Sequence, residues 1–294
     1  MSILYDEAQQ SIANESRRVL EARVTKDQLL PLLESTGRYH EGFWNTAKEQ
    51  GWTALAMPED FDGLALGLVE LGLIAHQAGR TLSGAPFLTS SFGAAKAIEI
   101  YGSKAQKAKW LPGLASGESI GTVAIASGAD ALPKQPQLVF ADDRIDGMAT
   151  GVSGGLVADI AIALVQGHDG PALVVASLAG VERQAIDSFD NSRCIANLHF
   201  AATPAEVLVE GEEAHAAALH ILALQAVITA HEQTGGAEML METGRDYAVT
   251  RRAFGQVIGS FQSVKHRIAE LYALVELARA NCIHAPSREG KDGF

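Results

Sequence analysis

The stretch from Arg251 to His266, Arg-Arg-Ala-Phe-Gly-Gln-Val-Ile-Gly-Ser-Phe-Gln-Ser-Val-Lys-His, holds the most chemical content in the chain. Arginine is permanently charged, and its planar fork of N–H donors matches a phosphate or pyrophosphate two bonds at a time. A guanidinium fixed at Arg251 would suit an anionic cofactor. The same residues also read as a plain helix–helix corner, in which Gly255 and Gly259 allow the turn and the arginines stay solvated; residue chemistry alone favours that reading. Other patterns carry less. Gly151-Val152-Ser153-Gly154-Gly155 has the Gly-x-Ser-x-Gly spacing of a serine nucleophile on a strand–turn–helix elbow, but the apolar run after it reads as a strand, which leaves a glycine-rich turn. His215 and His220 stand five residues apart, off a common helical face, and the nine histidines show no HExxH pattern, so metal ligation by them is not expected. Glu59, Asp60 and Asp62 read as turn formers. Cys194 and Cys282 form no CxxC pair, which argues for reduced thiols and against a disulfide framework or a cysteine zinc site.

The elements that would position these residues change rhythm twice along the chain. Up to about Gly117, helical stretches alternate with Gly and Pro, as in Glu41 to Gln50 and in Leu68 to Ala78, where Leu68, Leu71, Ala75 and Ala78 share one face. From Ser119 to Glu210, short apolar runs separated by turn residues take over: Thr122–Ile125, Leu138–Phe140, Ile160–Val165, Leu173–Val175 and Val207–Val209. These predict strands, and their spacing without long helices between them predicts an antiparallel barrel or sandwich, not a Rossmann sheet. After Glu210 the helical period returns in Ala226, Ala230, Gln233, Ala237, Leu240, Gly244 and Tyr247. It recurs in Phe261, Val264, Ile268, Leu271, Val275, Ala278 and Cys282. Two long antiparallel helices joined through residues 251–259 follow, with a seam that asks for more apolar partners than the chain offers. A second subunit is expected to cover it. Pro286 ends the second helix, and the polar residues 287–294 continue no bundle. The reading is an α+β chain: an N-terminal helical domain over 1–117, a middle β domain over 118–210, and a C-terminal helical domain over 211–294 that is expected to be incomplete.

With 294 residues and 47% hydrophobic content, the chain can bury a sizeable core without disulfides or metals. No apolar run reaches the roughly 18 residues of a membrane span, and Met1 to Arg18 is polar where a signal peptide would be apolar, so a cytoplasmic chain is expected. The 23 basic against 35 acidic residues give a net charge of -12, which repels nucleic acid and anionic membrane surfaces. An anionic cofactor remains admissible, because local arginines and helix N-termini decide its binding.

Three stretches, in the right order, resemble the acyl-CoA dehydrogenase family. Gly51-Trp52-Thr53-Ala54-Leu55-Ala56-Met57-Pro58-Glu59-Asp60-Phe61-Asp62-Gly63, followed by Gly67-Leu68-Val69-Glu70-Leu71, resembles the N-terminal signature in which a Pro-Glu turn links two helices. Gln106 to Glu118 is similar to the segment that closes the family's helical domain before its first strand. The Arg251 to His266 stretch is the strongest of the three. The resemblance covers residues 1 to about 284. It implies FAD as cofactor, α,β-desaturation of an acyl-CoA thioester as the reaction, and an FAD contact role for Arg251, Phe254 and Gln262 toward flavin bound chiefly by a neighbouring subunit.

The departures from the family are as informative. Its Thr-Glu-Pro-Gly loop and Trp-x-Thr-Asn stretch, which hold the isoalloxazine, correspond here to Ala124–Asp130 and Gly147–Gly151, and neither is preserved. Family members remove the α proton with a glutamate while a hydride leaves the β carbon for the flavin. The usual glutamate lies beyond the last residue of this chain, and the position used by other members falls near Gln225, which cannot act as a base. Glu232 and Glu238 lie on the same helix, where glutamates are usually solvated. No catalytic residue is assigned. These features resemble the non-catalytic subunit of two-gene, heterotetrameric acyl-CoA dehydrogenases, which include steroid side-chain degrading enzymes, and imply as partner a catalytic acyl-CoA dehydrogenase subunit or a second copy of this chain. The alternatives are a flavin-free, inactive scaffold of the same fold and a shortened gene product.

Overall fold

A computed structural model gives the positions of residues 5–126 and 130–284, with the backbone alone for Lys26. Residues 127–129 of the Ala124–Asp130 stretch, and the tail from 285 with Pro286, lie outside the described residues.

The chain opens with helices whose starts are written into their capping residues. In α1 (Glu7–Arg23) the Asp6 carboxylate accepts from the Gln9 N–H at 2.8 Å while the Gln9 amide oxygen accepts from the Asp6 N–H, which closes a capping box. After α2 (Lys26–Leu33), α3 (Glu41–Glu49) covers the stretch read as helical from Glu41 to Gln50. It starts at His40, whose Nδ1 accepts from the Phe43 N–H at 2.8 Å, and it buries Phe43, Trp44 and Ala47. α4 (Leu68–Thr81) runs a turn beyond the expected Ala78. α5 (Phe87–Thr89) passes through a π-helical turn, Ser90–Ala94, into α6 (Ala95–Tyr101), and α7 (Lys104–Ser116) ends the helical part. Phe87 ties these pieces together through edge-to-face contacts with Phe43 and Phe92, at centroid distances of 5.9 and 5.5 Å.

Seven strands follow: β1 (Gly121–Ala124), β2 (Leu138–Ala141), β3 (Arg144–Val152), β4 (Ile160–Gly167), β5 (Gly170–Ser177), β6 (Glu182–Ala185) and β7 (Ala196–Glu210). The pairings β4–β2, β2–β3, β3–β7, β7–β5 and β5–β4 close a ring, with β1 added beside β4 and β6 beside β7. The expected barrel is present, but it is not wholly antiparallel: β1 and β2 both run parallel to β4. Apolar runs reveal that strands exist and say nothing of their direction. The relevant signal was in β4, whose first six residues are all buried, as in a strand covered on both faces. β3 and β6 escaped the sequence reading because neither is an apolar run. Gly147–Gly151 lies inside β3, which alternates buried and exposed positions around its glycines.

The chain then enters α8 (Glu212–Thr250), a helix of 39 residues, followed by a short hairpin of β8 (Arg252–Ala253) and β9 (Gln256–Val257), and by α9 (Gln262–His284). By length and composition alone α8 could cross a membrane, a point the sequence reading missed because polar residues interrupt its apolar runs; it packs on α4 and on the barrel strand β5. Glycine makes the α4–α8 crossing close. A Cβ at Gly79 would lie 1.9 Å from the Glu232 carbonyl oxygen, and one at Gly235 would lie 1.9 Å from that of His76.

Candidate functional site

Arg251 ends α8 in an extended conformation, with its N–H on the Tyr247 oxygen at 2.8 Å and its own oxygen accepting from the Ile258 N–H at 2.8 Å. Arg252 and Ala253 pair with Val257 and Gln256, so Phe254 and Gly255 form the two-residue turn, at φ 52° and 84°. A type I′ hairpin needs positive φ at both positions, which glycine supplies freely and phenylalanine does not. The consequence is that the Phe254 ring stands at the tip, 94% exposed, with only an edge contact to Phe261 at 6.2 Å. Arg251 and Gln262 are exposed on the same hairpin-capped end of the helix pair. Among the described residues the Arg251 guanidinium forms no hydrogen bond or ion pair. The structure therefore brings together the three residues singled out by sequence, on a corner whose strained aromatic tip does little for the chain's own packing.

The seam between α8 and α9 is an open groove of about 740 Å³. Ala230, Ala237 and Leu240 line one wall and Ile268, Leu271 and Val275 the other, the positions at which the helical period recurs in the sequence. Nearby Tyr272, Leu274 and Leu277 are exposed by more than half.

Gln225 faces a different cavity, a cleft of about 520 Å³ where the helical part, the barrel and α8 meet. Thr89 of α5, Ser153 after β3, Arg193 before β7, and Gln225, Thr229 and Glu232 of α8 line it. Glu232 is buried here, not solvated. Its two carboxylate oxygens accept from Arg193, from Nη2 at 2.7 Å and Nη1 at 3.2 Å, and Arg193 Nε donates to Asp190 at 3.0 Å. Glu238 is also held internally, by His76 Nε2 at 2.7 Å and Arg80 Nη1 at 2.9 Å. Burial pushes its carboxyl up, but the His76 hydrogen bond and the His76 and Arg80 charges outweigh that and bring its pKa down to about 2. So weak a base is unsuited to take a proton from carbon. Neither glutamate weighed from the sequence is a free general base. Arg193, His76 and Arg80 went unnoticed there, because each pairs with a residue far away in the chain.

The remaining patterns have structural roles. Gly151–Gly155 ends β3 and turns into β4, so no helix follows Ser153 and no nucleophile elbow forms. His215 Nε2 is 2.9 Å from the Pro133 oxygen, and His220 Nδ1 is 2.8 Å from the Tyr101 hydroxyl. Among the described residues, no group of three or more His, Cys, Asp or Glu side chains could hold a metal. Glu59–Phe61 is a 3-10 turn closed by Asp62 in a left-handed conformation. Both cysteines are free and buried, and burial pushes the Cys194 thiol up to about 11.

Residues 6–118 match the acyl-CoA dehydrogenase N-terminal domain, and residues 215–292 match the acyl-CoA dehydrogenase C-terminal domain. The chain belongs to the acyl-CoA dehydrogenase family. Among its relatives in that family is acyl-CoA dehydrogenase IpdE2 of Mycobacterium tuberculosis, 28% identical over 253 residues, which are 85% of this chain and 67% of IpdE2. A variant of the Tcur3481-Tcur3483 steroid ACAD has a TM-score of 0.83 at 27% identity, covering 98% of this chain and 79% of that one. The ChsE4-ChsE5 complex from Mycobacterium tuberculosis shares the dehydrogenase fold, with a TM-score of 0.88 at 24% identity over 99% of this chain and 80% of that one.

Proposed function

We propose that this chain is a subunit of an FAD-dependent acyl-CoA dehydrogenase acting in the cytoplasm, and that it serves α,β-desaturation of an acyl-CoA thioester together with a second, catalytic subunit. The hairpin between α8 and α9 carries the reading. An unpaired guanidinium at Arg251 beside an aromatic ring standing free at Phe254 fits the pyrophosphate and flat rings of FAD approaching from outside the chain. Arg251 would face the pyrophosphate, with Phe254 and Gln262 adding contacts. FAD, when bound, supplies the hydride acceptor. What this chain does is orient the cofactor and exclude water from one side of it. The groove along α8 and α9 supports a partner lying against the helix pair that the hairpin joins. The similarity to a steroid ACAD makes a steroid-derived acyl thioester the first substrate to test.

Among the described residues, the positions weighed for the base do not supply one, since Gln225 is neutral and Glu232 and Glu238 are held in ion pairs. In this reading the α proton goes to a group of the partner. The test is reduction of an electron-accepting dye by acyl-CoA substrates, with each chain alone and with the co-purified pair. Turnover is expected only from preparations that contain the partner, and turnover by this chain alone contradicts the proposal.

A further inference from the structure

The corner that presents Arg251 leans on α8 through a single glycine. Gly259 sits in the 3-10 turn Ile258–Ser260 between β9 and α9, and a Cβ there would lie 2.9 Å from the Ala248 carbonyl oxygen, 3.2 Å from its carbonyl carbon and 3.4 Å from its Cβ. The two nearest atoms are helix backbone, which cannot turn aside as the end of a side chain can. Ala248 is 2% exposed at this contact, whereas Tyr247 and Val249 beside it are exposed by more than half. Gly255, in the same hairpin, is the opposite case: it has φ 84° and nothing within 4 Å of its Cβ position. Gly255 serves the turn's backbone angles, and Gly259, which has no positive φ, serves close approach.

The contact is linked to Arg251 through hydrogen bonds. The Arg251 N–H is held by the Tyr247 oxygen at 2.8 Å, and its carbonyl accepts at 2.8 Å from Ile258, the residue before Gly259. The turn is closed on itself by the Phe261 N–H on the Ile258 oxygen at 3.1 Å and the Ser260 hydroxyl on the Val257 oxygen at 2.6 Å. It therefore moves as one piece. A side chain at position 259 pushes that piece away from α8, and the displacement passes through the Ile258–Arg251 bond to the backbone that aims the guanidinium.

We propose that Gly259 is a positioning residue for FAD: by letting the 258–260 turn rest on Ala248, it sets the direction from which Arg251 reaches the pyrophosphate. This rests on the flavin role proposed above for Arg251. The test is a double-mutant cycle on the deflavinated, co-purified complex, with FAD affinity measured by titration for wild type, Gly259→Ala, Arg251→Ala and the double variant. Gly259→Ala is expected to weaken FAD binding about fivefold, the scale of one misaligned hydrogen bond to a charged group, and to have no further effect once Arg251 is alanine. A glycine that only packed the turn would add its loss to that of Arg251→Ala. A Gly259→Ala complex within about twofold of wild type, or a double variant weaker than Arg251→Ala by more than about twofold, would overturn the proposal. Should Gly259→Ala fail to assemble, Ala248→Val, which crowds the same contact from the helix side, takes its place in the cycle with the same expected and contrary results. Loss of affinity in Arg251→Ala without loss in the crowding variant would defeat the positioning role alone, while unchanged affinity in Arg251→Ala would defeat the flavin role and the positioning role together.

Discussion

Glu238→Gln is expected to destabilise the chain in a manner that changes with pH. The Glu238 side chain is 15% exposed where α4, α8 and α9 meet, with His76 Nε2 at 2.7 Å, Arg80 Nη1 at 2.9 Å and Arg279 Nη1 at 3.7 Å. Burial opposes its ionisation, but the His76 hydrogen bond and the His76 and Arg80 charges prevail, moving the pKa from 4.5 to about 2. That displacement corresponds to roughly 3 kcal/mol of stability at neutral pH. Because the folded value is the lower one, the contribution is fully present well above the unfolded value of 4.5 and is lost as pH falls from there toward 2. The difference between wild type and Glu238→Gln should then shrink steadily as pH falls from about 4.5 toward 2. Arg80 keeps Glu242 at 2.6 Å in the variant, so its charge is not left alone. Urea unfolding followed by the fluorescence of the buried Trp44 and Trp52 measures both chains across this range. A difference at pH 7 below about 1 kcal/mol, the range of an exposed pair, or one that grows as pH falls, would refute the reasoning.

Gly79→Ala should cost about 1–3 kcal/mol or more in the same assay, because its Cβ would lie 1.9 Å from the Glu232 carbonyl oxygen and force α4 away from α8; unchanged stability would contradict that close crossing. Cys194, its thiol pushed up to about 11 by burial, should resist alkylation at pH 8 in the folded chain and react only in denaturant, so stoichiometric labelling of the native protein at this residue would be the contrary result. Phe254→Gly should leave the stability of the chain within about 1 kcal/mol of wild type, since relief of the positive φ offsets the unfolded-state freedom of glycine. FAD retention by the complex should fall in the same variant. A larger loss of stability would mean that the ring supports the fold, not the cofactor.

What the sequence revealed and what it hid follow from the range of the interactions involved. The α8–α9 seam was legible because Ala230, Ala237, Ile268 and Val275 recur at the helical period, a local property, and the structure leaves that seam open as a groove. Strands such as Ile160–Gly167 announced themselves as apolar runs, but their parallel or antiparallel sense depends on partners elsewhere in the chain, which is why the β1–β4 and β2–β4 pairings were not foreseen. Arg251, Phe254 and Gln262 could be named from the motif, while the I′ turn that lifts Phe254 into solvent emerged only from the backbone angles. The ion pairs were hidden most completely. Glu232 with Arg193, and Glu238 with His76 and Arg80, are long-range pairs on a helix whose glutamates would ordinarily be solvated, and burial reverses that expectation.

The central claim is that Arg251 reaches FAD across a subunit boundary, and it is tested most directly by the flavin content of the co-purified pair carrying Arg251→Ala in this chain alone. Loss of a charge-assisted contact to pyrophosphate is expected to weaken FAD binding by about tenfold to a hundredfold, so that the variant complex loses flavin on dialysis that the wild type retains. A variant complex that stays assembled and keeps its full complement of FAD would contradict the account.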